Sequence, residues 1–226
     1  IVSDIMMPEM DGIEMMKIVK NDIRTSHIPI ILLTAKTSPL DQEQGYESGA
    51  DSYLMKPFSA KLLQSRIRNI LSSRRRLADY ILQHNMPTSV AIAASSNSAE
   101  NEILKKADEE LAASVPELSP LDKRFMERLN KLIEENMSTE DIDIAFMTDK
   151  LAMSHSTFYR KVKALTGVSA NEYIRKMKLQ RSMQLLKSGE HNVTEVAFAT
   201  GFNNIGYFRK CFKKEFGLSP SEVLKG

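Results

Sequence analysis

Three residues, Asp4, Thr34 and Lys56, each stand at the end of a short apolar run: IVSD, IILLT and SYLMK. A carboxylate, a hydroxyl and an ammonium group are what a site for an anionic reactant needs, since positive charge must offset the oxygens that a weak carboxylate nucleophile approaches. A second set of residues repeats. HSTFYRKVKALTGVSANEY, from His155 to Tyr173, and IGYFRKCFKKEFGLSPSEV, from Ile205 to Val223, superpose when Gly167 is set on Gly217. Phe158 then meets Phe208, Lys163 meets Lys213, Ser169 meets Ser219 and Glu172 meets Glu222, with a basic helix ahead of each glycine. Two like basic helices suit a long ligand that offers the same surface twice, and duplex DNA presents its groove once per turn.

The elements that must position these residues fall into three segments. In residues 1–78 strands and helices alternate: Ile1–Ser3, a loop MPEMDG, a helix over Ile13–Asn21, a strand over Pro29–Ala35, a helix over Asp41–Ser48 closed by Gly49, and a strand over Ser52–Met55. This order predicts a partial doubly wound parallel α/β sheet with its chemistry at the carboxyl ends of the strands. A helix from Ala60 runs through SSRRRLADYIL out of the segment. Residues 79–118 form a linker, in which MPTSVAIAASSNSA is small and polar and NEILKKADEELAAS has helix-forming composition.

Residues 119–226 are expected to be all helical. Ser119 and Pro120 suit a helix start, and Phe125, Leu129, Leu132 and Ile133 make the apolar stripe after it. Two helix-turn-helix units follow, Ile144–Leu151 with Ser156–Thr166 and Val193–Thr200 with Ile205–Phe216, joined by a long helix over Asn171–Leu186. The inward residues are expected to be Leu151, Phe158, Val162 and Leu165 in the first unit, Ile174, Met177, Leu185 and Leu186 in the joining helix, and Phe208, Phe212 and Phe216 in the second. Cys211, the one cysteine, lies on an inward stripe and reads as a core thiol, so a disulfide framework is excluded.

Composition bounds the rest. With 226 residues, 42% hydrophobic and 27% charged, the chain reads as a globular protein of two domains. No apolar run is long enough to cross a bilayer and no signal segment opens the sequence, which places this stretch in the cytoplasm as an expectation. The net charge of +2 hides an asymmetry, because residues 155–226 carry 13 basic side chains against 5 acidic ones. A cationic excess over the two repeats is what an approach to phosphates requires, and is also what a solvated basic face would show.

The motifs SDIMMPEMDG, IILLTA and GADSYLMKPF, in this order and at these distances, resemble the receiver domain of bacterial response regulators. The resemblance implies that Asp4 accepts a phosphoryl group from a histidine kinase, that Lys56 neutralises the phosphate oxygens after a cis peptide before Pro57, and that Thr34 and Tyr53 form a switch pair. It further implies a Mg²⁺ ion held by Asp4 and the backbone carbonyl of Met6. The family's first strand, first helix and second strand would precede Ile1, together with the acidic pair that completes the metal site, so weak Mg²⁺ binding is expected here. Taken singly, Asp4 reads as a helix cap, Thr34 as a strand residue and Lys56 as a surface charge; the three motifs in sequence are what favour the receiver.

From about residue 121 onward the chain resembles the AraC/XylS family of transcription regulators, most closely in VTEVAFATGFNNIGYFRKCFKKEFGLSPSEVL. By position in that motif the base-reading faces are Ser156, Thr157, Tyr159 and Arg160 in the first recognition helix and Gly206, Tyr207, Arg209 and Lys210 in the second. Arg160 suits a bidentate guanine contact, whereas Lys210, Lys213 and Lys214 are free to meet phosphates, and Lys163 is a further DNA-binding candidate. Gly206 departs in substance, having no side chain to read a base with. Ser154, Asn203 and Asn204 stand where helix amino termini meet phosphate or are simply capped, and His155 reads as a turn residue.

The combination resembles the carboxyl-terminal part of a hybrid two-component regulator, in which sensor, kinase, receiver and DNA-binding domain share one polypeptide anchored in the inner membrane. The opening on Ile1 rather than methionine agrees with a piece of something longer. The candidate partners are double-stranded DNA, a histidine kinase domain, a second copy of the chain and RNA polymerase. A free-standing response regulator of the same domain order and a protein-interaction module of duplicated helical hairpins are the alternatives. An enzyme is not expected, since no Ser/His/Asp grouping, metal-ligand cluster or glycine-rich phosphate loop is present and self-transfer of a phosphoryl group to Asp4 is the only reaction in view.

Overall fold

The computed structural model describes residues 1–35, 50–84, 117–138, 142 and 144–225. The expected helix over Asp41–Ser48, its closing Gly49 and the linker sequences quoted above lie outside the described residues. The first segment is a three-stranded parallel sheet, β1 (Val2–Asp4), β2 (Ile31–Thr34) and β3 (Ser52–Met55), in the order β1-β2-β3. Helix α1 (Gly12–Asn21) covers one face, burying Met16 against Ile30, Leu32 and Tyr53. Asp11 caps α1, its Oδ1 accepting from the amides of Ile13 at 2.8 Å and Glu14 at 2.7 Å. The loop before it turns so tightly that a Cβ on Gly12 would sit 2.2 Å from the carbonyl oxygen of Asp4, and only glycine fits there.

Asp51 ties the layers together, because Oδ2 accepts from Lys20 Nζ of α1 at 2.6 Å and from the Ile30 amide at 2.9 Å while Oδ1 accepts from Arg74 at 2.9 Å. Burial alone would push its carboxyl up, yet these donors hold it below the usual carboxylate range. Arg74 belongs to α2 (Ala60–His84), a 25-residue helix that starts on the sheet and continues well past residue 78.

The remainder is helical: α3 (Pro120–Glu135), α4 (Ile144–Lys150), α5 (His155–Thr166), α6 (Ala170–Ser188), α7 (Val193–Ala199), α8 (Ile205–Phe216) and α9 (Pro220–Val223). Short polar residues cap most of these starts. Ser119, Ser154, Ser169, Asn192, Asn204 and Ser219 each accept a backbone N–H of the first turn. Gly167 and Gly217 close α5 and α8 in the left-handed region at φ 75° and 76°, which is why both copies of the repeat carry glycine there.

Two cores result. The first gathers Phe125, Leu129, Met147, Phe158, Val162, Leu165 and Met177, among others, and Leu77 and Ile81 of α2 belong to it. The second holds Leu179, Leu186, Val196, Phe202, Phe208 and Phe212. Helix α6 therefore serves one core up to Met177 and the other from Leu179 on. The inward residues expected in each unit are buried, except that Leu185, Phe216 and Cys211 are only partly covered.

Candidate functional site

Parallel pairing sets the first group of residues. Asp4 is in register with Leu33, Thr34 with Met55, and Lys56 directly follows β3, so all three stand at the carboxyl edge of the sheet. Lys56 Nζ donates to Asp4 Oδ2. That hydrogen bond, with help from the amides of Met6 and Ile5, holds the Asp4 carboxyl below its ordinary range, and the charged form is what a nucleophile requires. Thr34 is buried beside them, and Tyr53 lies inward, against α1. The peptide between Lys56 and Pro57 is cis.

The residues present do not by themselves fit a Mg²⁺ ion. Asp4 is one carboxylate and one of its oxygens is engaged by Lys56, the nearby Asp11 is spent on capping α1, and among the described residues no three His, Cys, Asp or Glu side chains gather.

The second group spans α5 and α8. Ser156, Arg160 and Lys163 are exposed on α5, with Thr157 and Tyr159 half-buried beside them. Ser156 and Arg160 lie one turn apart on one row, and Arg160 Nε donates to the Ser156 carbonyl at 3.2 Å. On α8, Gly206, Tyr207, Arg209, Lys210 and Lys213 are exposed. Asn204 and Ser154 serve as caps, accepting from Tyr207 N at 2.8 Å and Thr157 N at 3.3 Å. An open cleft between the two units is lined by Tyr159, Asn171, Arg175, Asn203, Asn204 and Tyr207, so residues from both recognition helices border one space.

Sequence reasoning missed a third group. Lys161 lies on α5 at the position that Cys211 occupies in α8, and it is 0% exposed. Its Nζ donates to Asp122 Oδ1 of α3 and, at 2.9 Å, to Ser26 Oγ, whose own hydroxyl donates to Asp122 Oδ1 at 2.7 Å. Ser26 comes from the turn after α1, so the cluster joins the sheet domain to the helical one. Burial would raise the Asp122 carboxyl, but the donors around it win and hold it low, so the pair is ionic. Beside it His27, half-buried, has no partner for Nδ1 among the described residues. The available signal was a lysine where the repeat demanded an apolar residue.

Against known proteins, residues 1–68 match the response regulator receiver domain and residues 147–226 match a helix-turn-helix domain. A protein described as histidine kinase P4 of Formosa agariphila is 36% identical over 98% of this chain, which spans 14% of that protein's length. The HTH-type transcriptional activator RhaS of Escherichia fergusonii is 34% identical over 44% of the chain and 36% of its own length. Among solved structures, the C-terminal domain of AraT, a response regulator from Geobacillus stearothermophilus, superposes with a TM-score of 0.42 at 26% identity, covering 49% of this chain and 88% of that one. The chain thus unites a response-regulator receiver domain, matched over residues 1–68, with an AraC-type helix-turn-helix domain, matched over residues 147–226.

Proposed function

We propose that this chain is the output end of a hybrid sensor kinase, a phosphorylation-controlled regulator that binds duplex DNA at specific sequences through α5 and α8. The domain order, receiver over residues 1–78 and DNA-binding domain over 119–226 with a linker between, supports that reading, as does likeness along nearly the whole chain to a protein described as a histidine kinase. The observation that carries the DNA half is the shared cleft, because Tyr159 of α5, Tyr207 of α8 and its cap Asn204 border one open space and a single duplex can meet both helices.

At the sheet edge, one Asp4 carboxylate oxygen attacks the phosphorus of a phosphohistidine. The P–N bond breaks, the new P–O bond forms on Asp4, and the imidazole leaves with the electron pair and is protonated. Lys56 then shifts from the carboxylate to the phosphate oxygens, and Thr34 and Tyr53 respond as the switch pair. Mg²⁺ binding by these residues alone is weak. In the helical domain Ser156, Thr157, Tyr159, Arg160, Tyr207, Arg209 and Lys210 face bases, Gly206 leaves room for backbone approach, and Lys163, Lys213 and the capped amino terminus at Asn204 take phosphates.

Selection of bound sequences from a random duplex library, followed by titration, tests this. Arg160→Ala is expected to weaken the selected site by roughly 1–3 kcal/mol and relax one base position, whereas Lys213→Ala weakens all sequences alike and lowers the salt slope by about one. Equal losses on selected and random duplex for both variants reject the assignment of Arg160.

A further inference from the structure

Helix α6 forms the floor of the cleft that separates the two recognition helices, and none of the DNA contacts proposed for α5 and α8 uses its side chains. Asn171, Arg175 and Lys178 follow one another at intervals of one turn, so one face of α6 turns all three toward the cleft. Tyr159 of α5 and Tyr207 of α8 stand on its two sides. Both tyrosines also belong to the faces proposed to read bases, so the cleft opens on the side from which DNA approaches.

The floor residues differ in what they can reach. Lys178 is 5% exposed and turned inward, its Nζ donating to the Gly201 carbonyl at 3.4 Å and standing 6.0 Å from the centre of the Phe202 ring. Arg175 keeps 38% of its side chain exposed. Among the described residues its ion-pair partner is Glu172, 3.9 Å away, a surface pair too long for a hydrogen bond and worth little. Lys178, one turn further on, repels an inward-turned guanidinium, so Arg175 is the floor cation that extends into open space. Asn171, one turn before it, is exposed, and its Oδ1 accepts from the Tyr159 hydroxyl at 3.4 Å.

Groove geometry says what that cation meets. Along one face of a duplex two successive major grooves lie about 34 Å apart, with the minor groove between them. When α5 and α8 occupy the two major grooves, the floor of the cleft faces that minor groove, about five base pairs from the centre of each half-site. The minor groove is only about 6 Å wide, and over A·T tracts it is narrower and more negative, which attracts arginine. A guanine there adds an exocyclic amino group to the floor of the groove. We propose that Arg175, with Asn171 beside it, enters the minor groove between the two half-sites and gives the chain a preference for A·T pairs at positions that neither recognition helix touches. The inference rests on the DNA-binding reading above. It supplies specificity where α8 is short of it, since Gly206 brings no side chain to the second half-site.

The test uses the full chain and duplexes of about three turns built on a site selected from a random library, with the pairs midway between the half-sites made all A·T, all G·C or all inosine·cytosine. Inosine lacks the exocyclic amino group, so its pair with cytosine shows the major-groove edge of G·C and the minor-groove edge of A·T. The unsubstituted chain is expected to bind the A·T and inosine spacers alike and the G·C spacer about tenfold more weakly. Arg175→Ala is expected to weaken the first two and leave the third nearly unchanged, bringing the ratio below about twofold, whereas Arg160→Ala keeps the ratio while losing its half-site position. An inosine spacer that behaves like G·C, an unsubstituted chain indifferent to the spacer, or an Arg175→Ala variant that weakens all three spacers by one factor overturns the minor-groove contact and leaves the selected half-sites standing. If the selection enriches no sequence at all, the DNA-binding reading falls and takes the minor-groove contact with it.

Discussion

Replacing Lys161 with methionine removes an ammonium group and keeps most of the volume, so the change isolates charge from packing. Asp122 is then left 1% exposed, with hydroxyls of Ser26 and Ser119 as its remaining side-chain donors. Removing one member of a buried pair costs about 3–5 kcal/mol, because the survivor keeps its desolvation penalty and loses its counter-charge. For a chain of this size each kcal/mol moves the midpoint of melting by about 2–4 °C, so Lys161→Met is expected to lower Tm by roughly 6–20 °C. The double variant Lys161→Met, Asp122→Leu removes both charges and is expected to recover to within about 1 kcal/mol of the parent. Urea unfolding at pH 7 and calorimetry measure both. The pH dependence has a definite sign. In the parent, Asp122 titrates below 3.8, so its contribution is present above that value and fades as pH falls further. In Lys161→Met the carboxyl titrates higher, and mild acid relieves part of the loss. A single variant that loses less than about 1 kcal/mol, or a double variant as unstable as the single one, refutes the reasoning.

Two further outcomes follow from particular contacts. Burial first, and then the charge of Lys161, push His27 down from 6.5 to about 4, with Asp122 opposing and Arg74 and Arg160 adding to the shift. The folded chain therefore takes up this proton later than the unfolded one, and stability falls as pH drops from 6.5 toward 4, by about 2 kcal/mol once partial solvent exposure is allowed for; denaturant midpoints of His27→Gln across that window should lack this component. At Gly12 the methyl of an alanine meets backbone at 2.2 Å and the turn from β1 into α1 must open, so Gly12→Ala is expected to cost at least about 2 kcal/mol in urea unfolding.

The strands and helices that carry Asp4, Thr34 and Lys56 were legible because each ends a run of apolar residues at a polar one, and the parallel order follows from the alternation with helices. The helical units were legible from inward spacing alone: Phe158 and Val162 recur as Phe208 and Phe212. Capping was only partly so. Asp4 offered itself as a cap, but it is Asp11, next to the glycine, whose carboxylate turns back to the amides of α1. The domain contact was hidden, since Ser26, Asp122 and Lys161 are 96 and 39 residues apart along the chain. Periodicity reports which face of a helix is covered and not by what. The length of α2 was also concealed, because its arginine run suggested an exit from the domain while Leu77 and Ile81 were already committed to the next core.

Helix α6 passes from one core to the other without a break between Met177 and Leu179. An α-helix advances 1.5 Å and turns about 100° with every residue. The angular phase between the two halves of the helical domain is thus set by a residue count, and adding or deleting one residue there would turn the later half by slightly more than a right angle. Any target spanning both halves has its pitch matched by the length of that helix, which leaves side chains free to vary while the spacing stays put.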